Sequence, residues 1–360
     1  MTSFESGYSE GFPDWLAGTG GSLVVTTYQA GHVILIHSDG RQLYTDFVRF
    51  DRPMGTAFFN NGLYVASRLA IWEFRHHPDA AATLNGRQGH DRHPIDGCFL
   101  PRQTRWTGDV QTHDVFPLIP SEVDDTAIGS DFGRHDIGLV ASRLSCIAAI
   151  DRHHGLRKIW QPSWITEIDA TDRCHLNGAA THDGKLRIAT ALAKCDVAEG
   201  WRANRTRSGV IVDIAAGATI ATELSMPHSP VVNDGALWFL ESGRGRLRKI
   251  SLDADDMVEV ADLAGFARGL AIHNGFAVIG LSRIRDTNNF GDLPIARTPV
   301  DSRMCGVAVV DTSRGALLHQ LQFTGSVEEI YDVNWLPWTH PALVVADHDG
   351  LIADHLFFGD

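Results

Sequence analysis

Short runs of alternating apolar and polar residues recur along the whole chain, and turn sequences separate many of them. The stretch CHLNGAATHDGKLRIAT, from Cys174 to Thr190, has an Asp-Gly step between two such runs. Asp-Gly and Asn-Gly favour the positive backbone φ that tight β-hairpin turns need. The same arrangement begins at Met54 (MGTAFFNNGLYVAS), His228 (HSPVVNDGALWFLES) and Arg268 (RGLAIHNGFAVIGLS). The pattern therefore predicts one antiparallel unit that is used several times.

The spacing of these units favours an all-β fold, a β-propeller. Units of about 50 residues with four strands each fit a propeller better than a β-helix or a sandwich. Six segments have the character of an innermost strand, so we expect six blades, with seven as the alternative. The first unit, over 22–50, lacks an inner strand, whereas EIYDVNW near the C-terminus offers one. We expect this C-terminal strand to complete the N-terminal blade, because ring closure removes exposed sheet edges.

The domain prediction follows from this closure. Of the 360 residues, 21–360 are expected to form a single propeller domain, and 1–20 a loosely attached lead-in. Three stretches, 76–97, 117–130 and 283–304, lack periodicity and are predicted to be long surface loops. The second of them contains an acidic insertion over 120–130.

Composition narrows the classes of partner. The formal net charge of -13 argues against a nucleic-acid binder and against a protein that binds anionic membrane surfaces. The five cysteines are widely spread and form no CxxC pair, which is typical of reduced core thiols rather than of a cysteine zinc site. No apolar run approaches the ~20 residues that span a bilayer, and the N-terminus does not have the pattern of a secretory signal. We therefore expect a cytoplasmic protein.

A series of short motifs runs in order through residues 20–340. They include TYQAGHVILI from Thr27, DRCHLNGAA from Asp172, MPHSP from Met226, GFARGLA from Gly265 and EIYDVNWLP from Glu329. In these motifs the chain resembles an uncharacterised bacterial family of predicted β-propellers. The resemblance implies the fold and implies no particular activity.

The predicted inner strands carry ionisable and polar residues that a packed apolar strand does not need. Because inner strands line the central channel of a propeller, these residues are expected to converge near its axis although they are far apart in sequence. Burying them costs several kcal/mol unless they are paired or bind something. In chain order the candidates are His113, Asp114, His175, Asn177, His228, Arg268 and Asp332.

The preferred hypothesis is a metal-dependent enzyme that acts on a small molecule or peptide. His113, His175 and His228 would bind a divalent transition metal (Fe, Cu, Mn or Zn) through imidazole nitrogen. An open coordination position would activate water, oxygen or a substrate oxygen. The four remaining polar candidates would then be catalytic, with one of the two aspartates as a ligand or a partner of a ligand. These four are Asp114, Asn177, Arg268 and Asp332. Oxidative, lyase and hydrolytic reactions all stay open.

Three alternatives need no metal. The same groups could form a pocket for a carboxylate-bearing ligand held by Arg268, or a hydrogen-bonded network that only stabilises the channel. The third alternative is a propeller without enzymatic activity that binds a protein, a peptide or a ligand. The sequence gives no prediction of oligomeric state.

Overall fold

Six sheets, antiparallel except for one added outer strand, build the molecule, and their innermost strands follow one another in a ring. The computed structural model describes residues 4–87, 93–118, 136–151, 153–252, 256–284, 290–347 and 350–357. Strands are numbered in chain order, and each sheet is given from its inner strand outward. The first sheet contains β25 (Asp332–Leu336), β2 (Ser22–Thr27), β3 (His32–Ser38) and β4 (Leu43–Arg49). The second contains β5 (Thr56–Phe59), β6 (Gly62–Ala66), β7 (Ala70–His76), β8 (Gly97–Trp106) and β26 (Pro341–Leu343).

The other four sheets have the same order. The third contains β9 (Thr112–Leu118), β10 (Asp136–Ala141), β11 (Cys146–Asp151) and β12 (Gly155–Trp160). The fourth contains β13 (Leu176–His182), β14 (Lys185–Ala191), β15 (Gly209–Asp213) and β16 (Ala218–Leu224). The fifth contains β17 (Pro227–Asn233), β18 (Ala236–Glu241), β19 (Arg246–Ser251) and β20 (Met257–Asp262). The sixth contains β21 (Phe266–His273), β22 (Phe276–Ser282), β23 (Gly306–Asp311), β24 (Ala316–Phe323) and β1 (Ser6–Tyr8).

The ring closes through the two ends of the chain, as the sequence predicts. The C-terminal strand β25 pairs with β2, with Ser22 opposite Leu336 and Thr26 opposite Asp332. Neighbouring inner strands contact one another in the order β25, β5, β9, β13, β17, β21 and back to β25. The fold is therefore a six-bladed β-propeller. The segment that could have begun a seventh blade is β26, which instead adds in parallel to the outer edge of β8.

Alternate residues of a strand within a blade pack into two different hydrophobic cores, one on each side of the blade. Few positions of such a strand are therefore polar. In β3, Val33 and Leu35 pack between the first and second blades, whereas Ile34 and Ile36 pack between the first and sixth. All four side chains are fully buried. A strand with apolar cover on both faces has an almost continuous apolar sequence, as β3 does. The hydrophobic core thus lies between the blades and leaves the axis to other residues.

The N-terminal segment is packed against the propeller, which corrects the expectation of a loosely attached lead-in. Strand β1 extends the sixth blade by pairing with β24, and helix α1 (Phe12–Gly18) follows it. Phe12 and Leu16 of this helix are fully buried in the core between the sixth and first blades. An amphipathic stretch of one or two turns gives little periodic signal, so the sequence does not reveal it.

The predicted loops have more structure than expected. Within 76–97, helix α2 (Pro78–Asn85) packs Ala80 and Ala81 against β8 and the C-terminal helix α3 (Leu351–Asp354). Within 283–304, the buried guanidinium of Arg303 donates hydrogen bonds to the carbonyls of Thr298, Ile284 and Ala296. Residues 119–135, which contain the predicted acidic insertion, lie outside the described residues. Across the described chain, no helix combines the length and apolar character that crossing a membrane requires.

Replacing Leu16 with Ala tests whether helix α1 is part of the core. We expect the free energy of unfolding to fall by about 2–5 kcal/mol, because a fully buried leucine leaves a cavity. Urea denaturation followed by circular dichroism measures this change. The matched control is Leu317→Ala, at a side chain that is 49% exposed, which should cost less than about 1 kcal/mol. Equal effects of the two substitutions would contradict the packing described for α1.

Candidate functional site

The axial channel contains two cavities that share a wall. The larger cavity has a volume of about 790 Å³ and the smaller about 280 Å³. His113, His228, Arg268 and Tyr331 line both of them, so these four side chains form an axial partition. The sequence candidates therefore divide between the cavities: His175 lines only the larger one, and Asp114, Asn177 and Asp332 line only the smaller one.

The two histidines of the axial partition are held in the same way. The Nδ1 atom of His113 lies 2.7 Å from the hydroxyl oxygen of Ser142 and 3.2 Å from the carbonyl oxygen of Gln111. The single hydroxyl hydrogen of Ser142 is donated to the carbonyl of Leu176 in the next blade. Because a carbonyl oxygen cannot donate and this hydroxyl has no second hydrogen, Nδ1 of His113 carries the proton.

His228 repeats this arrangement two blades further round. Its Nδ1 atom lies 2.9 Å from the hydroxyl oxygen of Ser242 and 3.0 Å from the carbonyl oxygen of Met226. Ser242 donates its hydrogen to the carbonyl of Ala267 at 2.6 Å. In neutral His113 and His228, the Nε2 atom therefore carries a lone pair.

The third histidine is paired with a carboxylate. Nδ1 of His175 lies 2.6 Å from Oδ2 of Asp172, and the indole Nε1 of Trp201 donates to the same oxygen at 3.0 Å. The carboxylate accepts the Nδ1 proton, which again leaves the lone pair on Nε2 of the neutral ring. The ring centroid of His175 is 4.6 Å from that of His113 and 4.3 Å from that of Trp201. Asp172 and His175 thus form a carboxylate–imidazole dyad in the wall of the larger cavity.

The Nε2 atoms of the three histidines face the cavities. None of these three Nε2 atoms has a hydrogen-bond partner among the described residues. None of them is fully buried either, so each is open to the cavity. Burial lowers the pKa of His113 well below its usual value, and His175 and Arg268 lower it further. Burial, followed by the charge of Arg268, lowers the pKa of His228 well below its usual value. Both rings are therefore neutral at pH 7 and keep their lone pairs.

Arg268 is already engaged. Its Nη1 atom lies 3.2 Å from Oε1 of Glu329, and its guanidinium carbon lies 3.8 Å from the centroid of the Tyr331 ring. Burial raises the pKa of Glu329, and Arg268 opposes this shift. The Tyr331 hydroxyl is buried and has no hydrogen-bond partner in the described part of the chain. The pocket for a carboxylate-bearing ligand held by Arg268 stays a prediction, because a single ion pair leaves other N–H groups of its guanidinium available.

Two carboxyl groups sit in the smaller cavity. Asp332 accepts hydrogen bonds from the backbone and the hydroxyl of Thr56 at 2.7 and 2.8 Å, and Asp114 accepts from the backbone of Ala179 at 3.0 Å. Burial raises the pKa of Asp114 to about 8, and the nearby Asp332 adds to the shift. Burial also raises the pKa of Asp332 to about 6, against the hydrogen bonds from Thr56. These two groups join neighbouring blades and lie away from the dyad.

The side chain of Asn177 connects two neighbouring blades. Its side chain is 3% exposed, donates to the carbonyl of Pro227 in the next blade at 2.9 Å, and accepts from the Thr190 hydroxyl at 2.6 Å. Each end of the amide thus makes one hydrogen bond to a protein group, and the bond to Pro227 ties Asn177 to the next blade.

The three histidines do not form a ready metal site. Within the described ranges, no group of three or more His, Cys, Asp or Glu side chains is placed to hold an ion. The structure brings His113, His175 and His228 to one cavity, as the sequence predicts, but does not point them at one common position.

Sequence reasoning missed the groups that hold these rings. Asp172 lies three residues before His175, and both have positive φ, 49° and 48°. Two residues with positive φ reverse the chain locally, so the Asp172 carboxylate reaches the ring of His175. In a regular strand these two side chains would lie farther apart. The only signals were that DRCHLNGAA and EIYDVNWLP, which contain Asp172 and Tyr331, belong to the motifs that the chain shares with a family. Ser242 lies in ESGRGRL, another motif shared with that family, whereas Ser142 gave no signal.

A family model agrees with the extent of the fold. It describes a domain of unknown function, DUF4915, and matches residues 10–345. The chain belongs to the DUF4915 family. The match begins before helix α1 and ends after β26, so the DUF4915 domain covers all six blades. No curated protein matches the chain.

A solved structure supports the fold alone. The DUF4915 chain is similar to a β-propeller chain from the crystal structure of a nidogen/laminin complex, with a TM-score of 0.54. The likeness covers 88% of this chain and 99% of that one, at 11% sequence identity. At this identity the shared feature is the blade architecture, and function has to be argued from the site itself.

The substitution Asp114→Asn tests the protonation of the smaller cavity. The pKa of Asp114 in the folded state, about 8, lies above the ordinary value of 3.8, so the folded protein keeps a proton that the unfolded chain releases. The stability that this proton provides is present at low pH and is lost as the pH rises toward 8. The free energy of unfolding of the wild type should therefore fall by up to about 1.4 kcal/mol per pH unit between pH 4 and 8 because of this group. Asp114→Asn should lack this contribution.

Urea denaturation at pH 5, 7 and 9 measures that slope. Asp183→Asn, at an exposed hairpin turn, is the matched control and should keep the wild-type slope. An unchanged slope in Asp114→Asn would show that Asp114 is ionised throughout this range.

Proposed function

We propose that this DUF4915 protein is an enzyme that acts on a small molecule in the larger axial cavity, with His175 as general base. The observation that carries the proposal is the 2.6 Å contact between Nδ1 of His175 and Oδ2 of Asp172, which leaves Nε2 free in the cavity. A volume of about 790 Å³ suits a single small ligand. Support also comes from the enclosure of the cavity between neutral histidines and aromatic rings.

The dyad has the features that a general base requires. Asp172 orients the imidazole, fixes its tautomer and stabilises the imidazolium that forms when Nε2 accepts a proton. His113 and His228 are neutral and lie on the cavity wall, so they can accept hydrogen bonds from a substrate without repelling the charged dyad. Trp201 holds Asp172 in place through its indole N–H. Base-assisted lyase and hydrolytic reactions both fit this arrangement.

Carbethoxylation by diethyl pyrocarbonate tests the dyad without knowledge of the substrate, because the reagent reacts with an unprotonated imidazole nitrogen. We expect His175 to react readily, and to react about 10-fold more slowly in Asp172→Asn, which keeps the shape of the side chain and removes its charge. Peptide mass spectrometry resolves the rate at each histidine. The exposed His153 is the internal control and should react equally in both proteins. An inert His175, or one that is indifferent to Asp172→Asn, would refute the proposal.

A second candidate is the metal-dependent form of the same enzyme. The observation that favours it is the shared state of the three rings: each Nδ1 proton is bound by an oxygen and each Nε2 lone pair faces the cavity. Metal-binding histidines commonly have such partners on their second nitrogen. His113, His175 and His228 would be the ligands of an iron, copper, manganese or zinc ion, and their side chains would have to turn toward one another to share it.

Elemental analysis of the purified protein separates the two candidates. The metal-dependent form requires about one ion per chain, with a loss of ~10-fold or more in both His175→Ala and His228→Ala. The metal-free dyad requires substoichiometric metal that neither substitution changes. His182→Ala, at an exposed strand end, is the matched control. A protein without bound metal and with an unreactive His175 would favour a propeller that only binds a ligand or peptide.

The expected location is the cytoplasm. All five cysteines are free thiols, four of them buried, which suits a reducing compartment. Burial raises the pKa of Cys174, next to His175, to about 12, so this thiol takes no part in the proposed chemistry.

A further inference from the structure

Three polar atoms that face the larger cavity without a protein partner are hydrogen-bond acceptors. The three Nε2 lone pairs of His113, His175 and His228 are acceptors because each Nδ1 carries the proton. Oδ1 of Asp172, beside His175, makes no hydrogen bond in the described part of the chain, but it is fully buried and does not reach the cavity. A ligand that displaces water from the three Nε2 atoms must donate hydrogen bonds to them, because an acceptor left without a partner is costly.

The charges around the cavity disfavour ionic ligands. The lining contains four carboxylates and four guanidinium groups, so its formal charges balance: Asp172, Glu199, Glu328 and Glu329 against Arg143, Arg202, Arg268 and Arg283. A ligand of either charge would lose its hydration without a net attraction to this lining. The complementary ligand is thus a neutral molecule with several hydrogen-bond donors.

The apolar part of the wall is aromatic. The indole of Trp201 lies 4.3 Å from the His175 ring, and the rings of Phe266 and Phe290 are stacked at 6.0 Å. Arg202 covers Trp201 at 4.3 Å. Because Trp201 is only 3% exposed and lies between His175 and Arg202, Phe266 and Phe290 provide the apolar part of the wall, which suits a ligand that has C–H groups as well as hydroxyl groups.

We propose that the ligand of the larger cavity is a neutral polyhydroxylated molecule, a monosaccharide or a cyclic polyol, whose hydroxyl groups donate to the Nε2 atoms of the three histidines. This inference rests on the proposed function, because it gives the dyad a substrate class. A hydroxyl bound at Nε2 of His175 is also positioned to lose its proton to the base.

Isothermal titration calorimetry with D-glucose and myo-inositol tests the inference, with citrate and spermidine as the anionic and cationic probes. We expect a dissociation constant on the order of 1 mM or tighter for at least one of the two neutral probes, and no heat from the charged probes. Asp172→Ala should weaken binding by about 10-fold or more. Trp106→Ala, at a side chain that is 69% exposed, should leave it unchanged.

A protection measurement on the wild type needs no variant. Saturating D-glucose or myo-inositol should lower the carbethoxylation rate of His175 in proportion to the fraction of protein that has the probe bound. The rate at His153 should not change. Binding of citrate or spermidine alone, or no protection by either neutral probe, overturns the inference. The proposed function would survive that result, because it depends on the reactivity of His175 in the ligand-free protein. The converse result is protection of His175 by a neutral probe together with an equal carbethoxylation rate in the wild type and Asp172→Asn. It would refute His175 as the general base and support the ligand class.

Discussion

Hydrogen bonds from side-chain hydroxyls to the carbonyls of the next blade are the contacts on which the axial site depends. The innermost strand of a blade has no strand on its axial side, so its backbone groups need other partners. Thr26, Ser142, Ser242 and Ser282 each donate to a carbonyl at the start of the following blade's inner strand. Four of the six joints around the ring are made in this way in the described structure, and Asn177 makes a fifth.

Two of these hydroxyls also determine the state of a histidine. Once Ser142 and Ser242 have donated their only hydrogen, their oxygens can do nothing but accept from His113 and His228. The same bond that holds two blades together thus fixes which nitrogen of the imidazole faces the cavity. The protonation of the site is a consequence of ring assembly, and it would change if the blades separated.

The sequence predicts the fold well because its signals are local and repeated. The hairpin turns at Asp183-Gly184 and Asn274-Gly275 have the positive φ values that their residues favour, and the alternation of apolar residues determines the strands between them. Ring closure follows from counting strands at the two ends. Helix α1 and helix α2 were missed because each is short and is stabilised by contacts with distant strands, for which a window of sequence carries no information.

The site was predicted only in part, for a different reason. Inner-strand position was enough to bring His113, His175 and His228 to one cavity. It could not show that Asn177 turns toward the neighbouring blade, that Arg268 is paired with Glu329, or that Asp172 reaches His175. Each of these depends on where a side chain points after the chain leaves regular strand geometry, and the left-handed residues at 172 and 175 are where it does so. A histidine on a propeller axis is therefore a weak indication of metal until the partner of its second nitrogen is known. Here those partners, two serines and one aspartate, hold the Nδ1 side of each ring and leave Nε2 open to the cavity, and no three-ligand group is present among the described residues.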